Sequence, residues 1–340
     1  MKTAFITGIT GQDGIYLTRL LMDKNYTIHG LVRKLPNNEL ITMHPFLKNV
    51  KFYTGDITDT ATVFKLIAEI QPDEIYNLAA MSHVKASFNN PLYTADADAL
   101  GIVRILEAVK TLKLHQKTKI YQALSSELFG KCEFSPQNEK TPFNPQNPYA
   151  IAKLYSYWMS KNYRDAYGMF IANGILYNHE SPIRGEDYVT RKITLSVAKI
   201  KHGIQDTIYL GNLDVMRDWG FAGDYVEAMW KMLQLEHPED FVIATGIIHS
   251  VRQFVEQSFQ QVGITIEWHG TGIKEIGIDK NTGTTLVKID PQFFRPIDVD
   301  ILVGDATKAE RILDWTPKTA FSELIKIMVE SDLQYIKKLK

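Results

Sequence analysis

The stretch TAFITGITGQDG, residues 3–14, decides the fold of this 340-residue chain. Residues 4–7 form a short apolar run of the kind that becomes a buried strand, and a helical pattern begins near residue 13. Glycines three residues apart between them let the backbone turn tightly and approach a ligand closely. The helix that follows presents free N–H groups and the positive end of its dipole. We therefore predict a dinucleotide site whose turn comprises Gly8, Thr10, Gly11, Gln12, Asp13 and Gly14, with an ordinary strand–helix turn as the alternative.

The alternation that begins in this stretch continues through the first half of the chain. Apolar runs predict strands at residues 4–7, 27–32, 50–53, 74–78, 119–124 and 170–176. Helical spacing is found near residues 13–24, 59–70, 95–113 and 149–167. Strand and helix in repetition predict a doubly wound α/β domain, in which helices cover both faces of a parallel sheet.

After residue 177 the alternation becomes irregular. Loops rich in Gly, Asn, Asp and Pro are predicted at residues 178–188, 211–223 and 270–283. Helices are predicted near residues 191–203, 222–235, 250–263, 306–313 and 320–339. We expect a Rossmann domain over residues 1–177 and a smaller mixed α/β domain over residues 178–340, with an approximate boundary across which strands are free to interleave.

The composition limits the partners of the chain. Its 38 basic and 39 acidic side chains give a net charge of −1, which argues against nucleic-acid binding. The single cysteine, Cys132, excludes an internal disulfide and an all-cysteine metal site, and the scattered histidines give no reason to expect a metal. The sequence has no run of 18 apolar residues and no signal-peptide core, so we expect a soluble cytoplasmic protein that does not bind a membrane.

The ends of the next predicted strands favour NADP over NAD. Arg33, with Lys34 beside it, stands where NAD sites usually have an acidic residue, and a guanidinium can pair with a 2′-phosphate. A solvated charge pair is the alternative. Asp56 and Ile57 follow the third strand, where a carboxylate can accept a hydrogen bond from the adenine amino group. The small segment Leu78, Ala79 and Ala80 follows the fourth strand and leaves room for the cofactor.

A catalytic site is predicted where the fifth strand ends. Ser125, Ser126 and Glu127 follow that strand, and ligands of such sheets bind beyond the carboxyl ends of the strands. Tyr149 and Lys153 are four residues apart on a predicted helix and therefore share one face. A nearby ammonium favours phenolate, so we expect Lys153 to lower the pKa of Tyr149 toward that of a general base. Taken alone, the pair would be read as a core or surface contact.

Motifs along nearly the whole chain resemble one family. Glycines 8, 11 and 14 with Tyr149-x3-Lys153 resemble the extended short-chain dehydrogenase/reductase superfamily. The resemblance narrows to the GDP-mannose 4,6-dehydratase family through further segments. These are TGITGQDG (7–14), YNLAA (76–80), SELFG (126–130), NHESP (178–182), LGNLD (210–214), RDWG (217–220) and FRP (294–296).

The resemblance implies NADP-dependent conversion of GDP-mannose to GDP-4-keto-6-deoxymannose by a hydro-lyase. It implies that Tyr149 takes the proton of the sugar 4-hydroxyl, that Ser125 bonds the 4-oxygen and that Glu127 is the base at C5. Lys153 would hold the nicotinamide ribose. The implied further cofactor contacts are Ser82, Tyr93, His179 and Arg184, and the implied substrate contacts are Ser82, Ser125, Ser126, Glu127, Tyr149, Asn178, Lys192, Arg217 and Arg295. Lys192 could instead be a solvated surface charge.

Several positions depart from the family pattern. The family commonly has threonine at Ser125, glutamine at Met81 and serine at Leu124, so polarity near the nicotinamide is reduced. The segment after Arg33 is shorter than the family loop that joins subunits into a tetramer, which puts a tetramer in doubt. The family's dimer contact, made partly by the helix of Tyr149, is unaffected, so we expect a homodimer.

Three alternatives remain open at this point. The same dehydration could act on a GDP-heptose of manno configuration, whose extra carbon adds only bulk at C6. The 4-keto product could be reduced further to a GDP-6-deoxy sugar. A non-catalytic NADP-binding protein is the third, although the chain keeps Glu127, Tyr149, Lys153 and a hydroxyl at residue 125.

Overall fold

The computed structural model describes residues 1–294 and 301–339. Its strands are β1 Thr3–Thr7, β2 Thr27–Val32, β3 Lys51–Thr54, β4 Glu74–Asn77, β5 Lys119–Ser125, β6 Ile171–Leu176, β7 Asn178–Glu180, β8 Ile208–Leu210, β9 Met216–Phe221, β10 Asp240–Ile243, β11 Ile248–Ser250, β12 Ile266–His269, β13 Ile276–Asp279, β14 Thr285–Ile289 and β15 Ile301–Leu302. Its helices are α1 Gln12–Asp23, α2 Asn38–Met43, α3 Thr60–Ile70, α4 Val84–Asn89, α5 Pro91–Thr94, α6 Gly101–Thr111, α7 Pro148–Tyr167, α8 Val189–Lys201, α9 Ala222–Gln234, α10 Val251–Gln260, α11 Thr307–Leu313 and α12 Phe321–Leu339.

The main sheet is parallel throughout and has the order β10-β6-β5-β4-β1-β2-β3 in the described part of the chain. The strand order reverses direction between β1 and β4, because the chain first builds outward to β3 and then returns to the other side of β1. Ligands of doubly wound sheets bind at such a switch point, beyond the carboxyl ends of the strands. The α/β class predicted from the sequence is confirmed.

Burial on both faces explains why these strands could be read from apolar runs. All six residues of β6 are buried, as are four of the seven residues of β5. One face of the sheet packs against α1 and α9, and the other packs against α3, α6 and α7. Strands of this kind carry continuous apolar sequences, since neither face meets water.

The second half of the chain contributes to both parts of the molecule. Helix α9 packs on α1, and β10 pairs with β6 at the edge of the main sheet. Residues 222–243 therefore belong structurally to the first part, although the sequence pattern assigned them to the domain over residues 178–340. The remaining segments form two small sheets, β11-β9-β15 with β7, and β12-β13-β14-β8, packed with α8, α10 and α12.

The three segments predicted as loops after residue 177 each contain a strand, so that prediction was wrong in part. Strands β7, β9 and β13 lie within residues 178–188, 211–223 and 270–283. They are three to six residues long and pair with distant segments, so local sequence carries little sign of them. None of the helices described has the length and apolar composition needed to cross a membrane.

Candidate active site

A cleft of about 720 Å³ opens at the carboxyl edge of the main sheet, between the strand ends and residues of the second half. The predicted site residues that line it are Gly8, Thr10, Gly11, Gln12, Asp13, Gly14, Arg33, Asp56, Ile57, Leu78, Ala79, Ala80, Ser82, Tyr93, Ser125, Glu127, Tyr149, Lys153, Asn178, His179, Arg184, Lys192 and Arg217. The structure thus brings residues from widely separated motifs into one place. Arg295, the last of the predicted substrate contacts, lies outside the described residues.

Ser126 is the exception among the described candidates, because it does not line this cleft. It begins the short helical turn Ser126–Leu128 and is only 2% exposed. The backbone at Ser125 is extended, so consecutive side chains there point to opposite sides. The side chain of Ser125 reaches the cleft, and that of its neighbour is buried.

The glycine turn forms a close-fitting cradle at one end of the cleft. Gly8 has a φ of +71°, and a Cβ there would lie 2.8 Å from the backbone nitrogen of Ala79. A Cβ on Gly14 would lie 2.4 Å from the carbonyl oxygen of Ile9. Gly11 precedes α1 without a capping side chain, which leaves the first N–H groups of the helix available to an anion. These features fit the pyrophosphate of a dinucleotide.

A second group of polar side chains lies near the end of β2. Arg33 Nη1 donates to the hydroxyl of Tyr93 at 3.4 Å, and this hydroxyl donates to Asp56 Oδ2 at 3.1 Å. Burial raises the pKa of Asp56, but hydrogen bonds from Thr58 more than offset it, so that the pKa lies below its usual value. A carboxylate and an exposed guanidinium therefore stand side by side where the adenosine of a dinucleotide would lie.

The predicted catalytic residues converge at the other end of the cleft. The N–H of Glu127 donates to Ser125 Oγ at 3.2 Å, and Asn147 Nδ2 donates to Glu127 Oε2 at 2.9 Å. Tyr149 lies one turn before Lys153 near the start of α7 and is hydrogen-bonded to Ser125. A carboxylate and two hydroxyls thus line the same cleft, and these are the groups that proton transfer to and from a sugar requires.

The expected effect of Lys153 on Tyr149 is not what the structure has. Burial and the carboxylate of Asp98 raise the pKa of Tyr149 above its ordinary value. Lys153 Nζ donates to the carbonyl oxygen of Ala123 at 3.0 Å and lies 5.9 Å from the centre of the Tyr149 ring. The prediction that Lys153 lowers this pKa in the protein itself was therefore wrong, because desolvation of the phenol and the charge of Asp98 determine its direction.

Asp98 is a residue that the sequence did not single out. It lies in a π-helical turn, Ala95–Leu100, that precedes α6, and it is 2% exposed. Its Oδ1 accepts a hydrogen bond from the N–H of Met81 at 2.8 Å, whereas its Oδ2 has no hydrogen-bond partner among residues 1–294 and 301–339. Its charge acts on both Tyr149 and Lys153. π-Helical turns are frequent at functional sites, but no sequence pattern predicts where one occurs.

His179 and Asp13 form a buried ion pair beside the glycine turn. His179 Nδ1 is 2.8 Å from the carbonyl oxygen of Tyr177, and Nε2 is 2.9 Å from Asp13 Oδ2. Because both partners are acceptors, both ring nitrogens must donate, which makes the ring an imidazolium. Burial lowers the pKa of His179, but Asp13 more than offsets this and raises it. The pair connects α1, which contains Asp13, to β7, which contains His179 and follows β6.

Basic side chains of the second half line the remaining wall. Lys192, in the first turn of α8, has its Nζ 3.2 Å from the centre of the Phe293 ring and makes no hydrogen bond within the described part of the chain. Arg217 is 5% exposed on β9. Arg184 pairs with Glu180 at 3.2 Å and stacks on the ring of Tyr188 at 3.6 Å. The lining residues Tyr188 and Phe293 were not predicted, because isolated aromatic residues in loops carry no distinguishing signal.

The fold and the site together define a member of the short-chain dehydrogenase/reductase class that acts on nucleotide sugars. The family model for GDP-mannose 4,6 dehydratase matches residues 5–328. The chain belongs to the GDP-mannose 4,6-dehydratase family. It is 51% identical to the GDP-mannose 4,6-dehydratase of Sinorhizobium fredii over 99% of this chain and 98% of that one.

Similarity at the level of sequence and of fold extends across kingdoms. The human GDP-mannose 4,6 dehydratase is 52% identical over 99% of this chain and 92% of that protein. The UDP-glucose 4-epimerase of Thermotoga maritima, solved with UDP-glucose, superposes with a TM-score of 0.82 at 22% identity, covering 99% of this chain and all of that one. The last similarity confirms the fold.

Proposed function

We propose that this protein is a hydro-lyase that converts GDP-mannose to GDP-4-keto-6-deoxymannose, with NADP as its bound cofactor. The convergence of Ser125, Glu127 and Tyr149 at the end of a dinucleotide cleft carries the proposal. A dehydrogenase needs the tyrosine alone, whereas elimination of water from C5 and C6 also needs a carboxylate base. Membership of a family whose relatives are about 50% identical over the full chain supports the same reaction.

The cofactor proposal rests on the fit of the cleft. The cradle of Gly8, Gly11 and Gly14 would hold the pyrophosphate, Arg33 the 2′-phosphate and Lys153 the nicotinamide ribose. NADP supplies, when bound, an acceptor for hydride that returns the hydride within the same cycle. Replacing Arg33 by Ser is expected to weaken NADP binding about tenfold or more and to leave NAD binding unchanged. Equal losses for the two nucleotides, measured by calorimetry, would favour NAD instead.

The side chains of this protein then handle the protons. Tyr149 takes the proton of the 4-hydroxyl, while Ser125 holds the 4-oxygen by a hydrogen bond. The new ketone makes the hydrogen at C5 acidic, and Glu127 removes it. The C6–O bond breaks, and the oxygen takes up one proton, equivalent to the one that Tyr149 received from the 4-hydroxyl, and leaves as water. Glu127 then returns its proton to C5. Asn147, which donates to Glu127 Oε2, fixes the carboxylate in place for both transfers.

The reaction is tested by incubating the protein with GDP-mannose and no added cofactor. A product lighter by one water is expected, and the isosteric variant Glu127→Gln should form none, since an amide cannot remove the C5 proton. A product of unchanged mass from the wild-type protein would refute the proposal. The same assay with a GDP-manno-heptose tests the first enzymatic alternative, and preferred use of the heptose would replace GDP-mannose as the proposed substrate. Consumption of added NADPH tests the second alternative, in which the 4-keto product is reduced further.

An apolar stripe on α7 supports a homodimer. Ile151, Tyr155 and Trp158 are 58%, 43% and 56% exposed, and their spacing places them on one side of the helix. Exposed apolar residues grouped in this way commonly mark a protein–protein contact. Trp158→Glu is expected to convert the dimer to a monomer in light scattering, and a monomeric wild-type protein would refute this assignment.

A further inference from the structure

Tyr188 bridges the two halves of the molecule inside the cleft. It immediately precedes α8, and its hydroxyl is 2.7 Å from Oγ of Ser82, a residue that follows β4. Both groups are hydroxyls, so either one can donate the hydrogen bond to the other. The ring is held in place by Arg184, which stacks at 3.6 Å, and by His83, whose ring meets it edge-on at 5.5 Å.

The Tyr188 hydroxyl lies in the cleft that Tyr149 and Glu127 also line. Its hydrogen-bond partner Ser82 and its stacking partner Arg184 line the same cleft. Tyr188 and Tyr149 are both among the groups that raise the pKa of Arg184. Tyr188 therefore shares its cleft with the proposed catalytic residues, although the dehydration proposed for this protein gives it no part.

The proton inventory of the reaction leaves one transfer without a donor. Tyr149 gains the proton of the 4-hydroxyl, and Glu127 takes a proton from C5 and returns it there. The oxygen that leaves C6 needs one more proton to depart as water, because hydroxide is a poor leaving group. Tyr149 must also lose its new proton before the next cycle. A relay from Tyr149 to the departing oxygen satisfies both requirements and needs no external acid.

The other hydroxyls of the cleft are excluded by their positions. Among the described lining residues, hydroxyls occur on Thr10, Ser82, Tyr93, Ser125, Tyr149, Tyr177 and Tyr188. Thr10 lies in the glycine turn, Tyr93 donates to Asp56, and Tyr177 donates to Gln137 at 2.8 Å. Ser125 is already bound to Glu127 and Tyr149. Ser82 and Tyr188 therefore remain as candidates for the group that gives a proton to the departing oxygen.

We propose that Tyr188, paired with Ser82, is the proton donor to the C6 oxygen during elimination. This inference rests on the proposed dehydration. As the electrons of the broken C5–H bond form the C5–C6 double bond, the C6–O bond breaks and the oxygen takes the phenolic proton of Tyr188. The phenolate is then neutralised through Ser82 by the proton that Tyr149 received from the 4-hydroxyl.

The test compares two leaving groups in Tyr188→Phe, which keeps the aromatic ring between Arg184 and His83. With GDP-mannose, kcat is expected to fall about a hundredfold, the usual contribution of a general acid. With the analogue that carries fluorine in place of the 6-hydroxyl, less than about a threefold loss is expected, because fluoride departs without a proton. The variant should also accumulate oxidised sugar, which is seen as near-ultraviolet absorbance of the reduced nicotinamide.

Tyr209→Phe is the matched control, because Tyr209 is 45% exposed on β8 and lies outside the cleft; both substrates should be unaffected. Equal losses on the two substrates in Tyr188→Phe, or no loss at all, overturn the proton-donor assignment while leaving the dehydration intact. A wild-type protein that dehydrates neither substrate overturns the proposed function, and this inference with it.

Discussion

Substitution of Gly8 by Ala tests whether the glycine turn is a cofactor cradle. The residue has a φ of +71°, at which an alanine costs about 1 kcal/mol. Its Cβ would lie 2.8 Å from Ala79 N, so this backbone must move by about 0.6 Å to reach an ordinary contact of 3.4 Å. Overpacking of this kind costs about 1 to 3 kcal/mol. The free energy of unfolding should therefore fall by about 2 to 4 kcal/mol.

Gly168 provides the matched control for this experiment. It ends α7 with a φ of +62°, and a Cβ there would meet nothing within 4 Å. Gly168→Ala therefore carries the conformational cost of about 1 kcal/mol without the clash. Urea unfolding of both variants separates the conformational cost from the cost of the clash. Calorimetric titration with NADP measures how far each variant loses affinity for the cofactor.

The displaced segment, Leu78 and Ala79, lines the same cleft. Displacements approaching 1 Å in a binding site cost up to about a hundredfold, so Gly8→Ala should weaken NADP binding at least about tenfold. Gly168→Ala should bind NADP as the wild-type protein does. The reasoning is refuted if Gly8→Ala retains full affinity, or if the two variants lose equal stability.

Three further changes test the electrostatics of the fold and site. Asp98→Asn should lower the pKa of Tyr149 and move the acid limb of the kcat–pH profile to lower pH; an unmoved limb would contradict the role assigned to this charge. Asp13→Asn leaves the buried His179 cation unpaired and should reduce the free energy of unfolding by about 3 kcal/mol in urea titrations. Burial raises the pKa of Asp332 to about 6, so the folded state binds this proton more tightly than the unfolded state does. The stability that protonated Asp332 contributes is therefore lost as pH rises from about 4 through 6. Relative to Asp332→Asn, the free energy of unfolding of the wild-type protein should fall by about 1 kcal/mol between pH 5 and pH 8. A rise over this range would refute the direction assigned to the pKa shift.

The main sheet could be predicted from sequence because its determinants are local. The turn at Gly8 lies next to its strand and helix, and strands β5 and β6 are rich in apolar residues. The place of β10 could not be predicted in the same way. Its residues, Asp240–Ile243, form an apolar run, but nothing within that run identifies β6 as its partner.

The site residues that belong to sequence motifs could be predicted. The residues that only the folded chain brings together could not. Tyr149 and Lys153 share a helix face by spacing alone, and the resemblance supplied the residues of the second half. The raised pKa of Tyr149 depends on Asp98, which a π-helical turn on another helix brings close. The contact between Ser82 and Tyr188 likewise joins two loops whose approach only the folded chain determines.

The return of residues 222–243 to the main sheet limits how this protein can change during evolution. A recombination event with a single breakpoint near residue 177 would exchange the substrate-binding half together with β10. If the incoming half lacked an equivalent strand, the sheet would end at β6 with a row of open N–H and C=O groups, a template for aggregation. A replacement for the second half must therefore supply its own strand for β6 and its own helix for α1, as residues 222–243 do here.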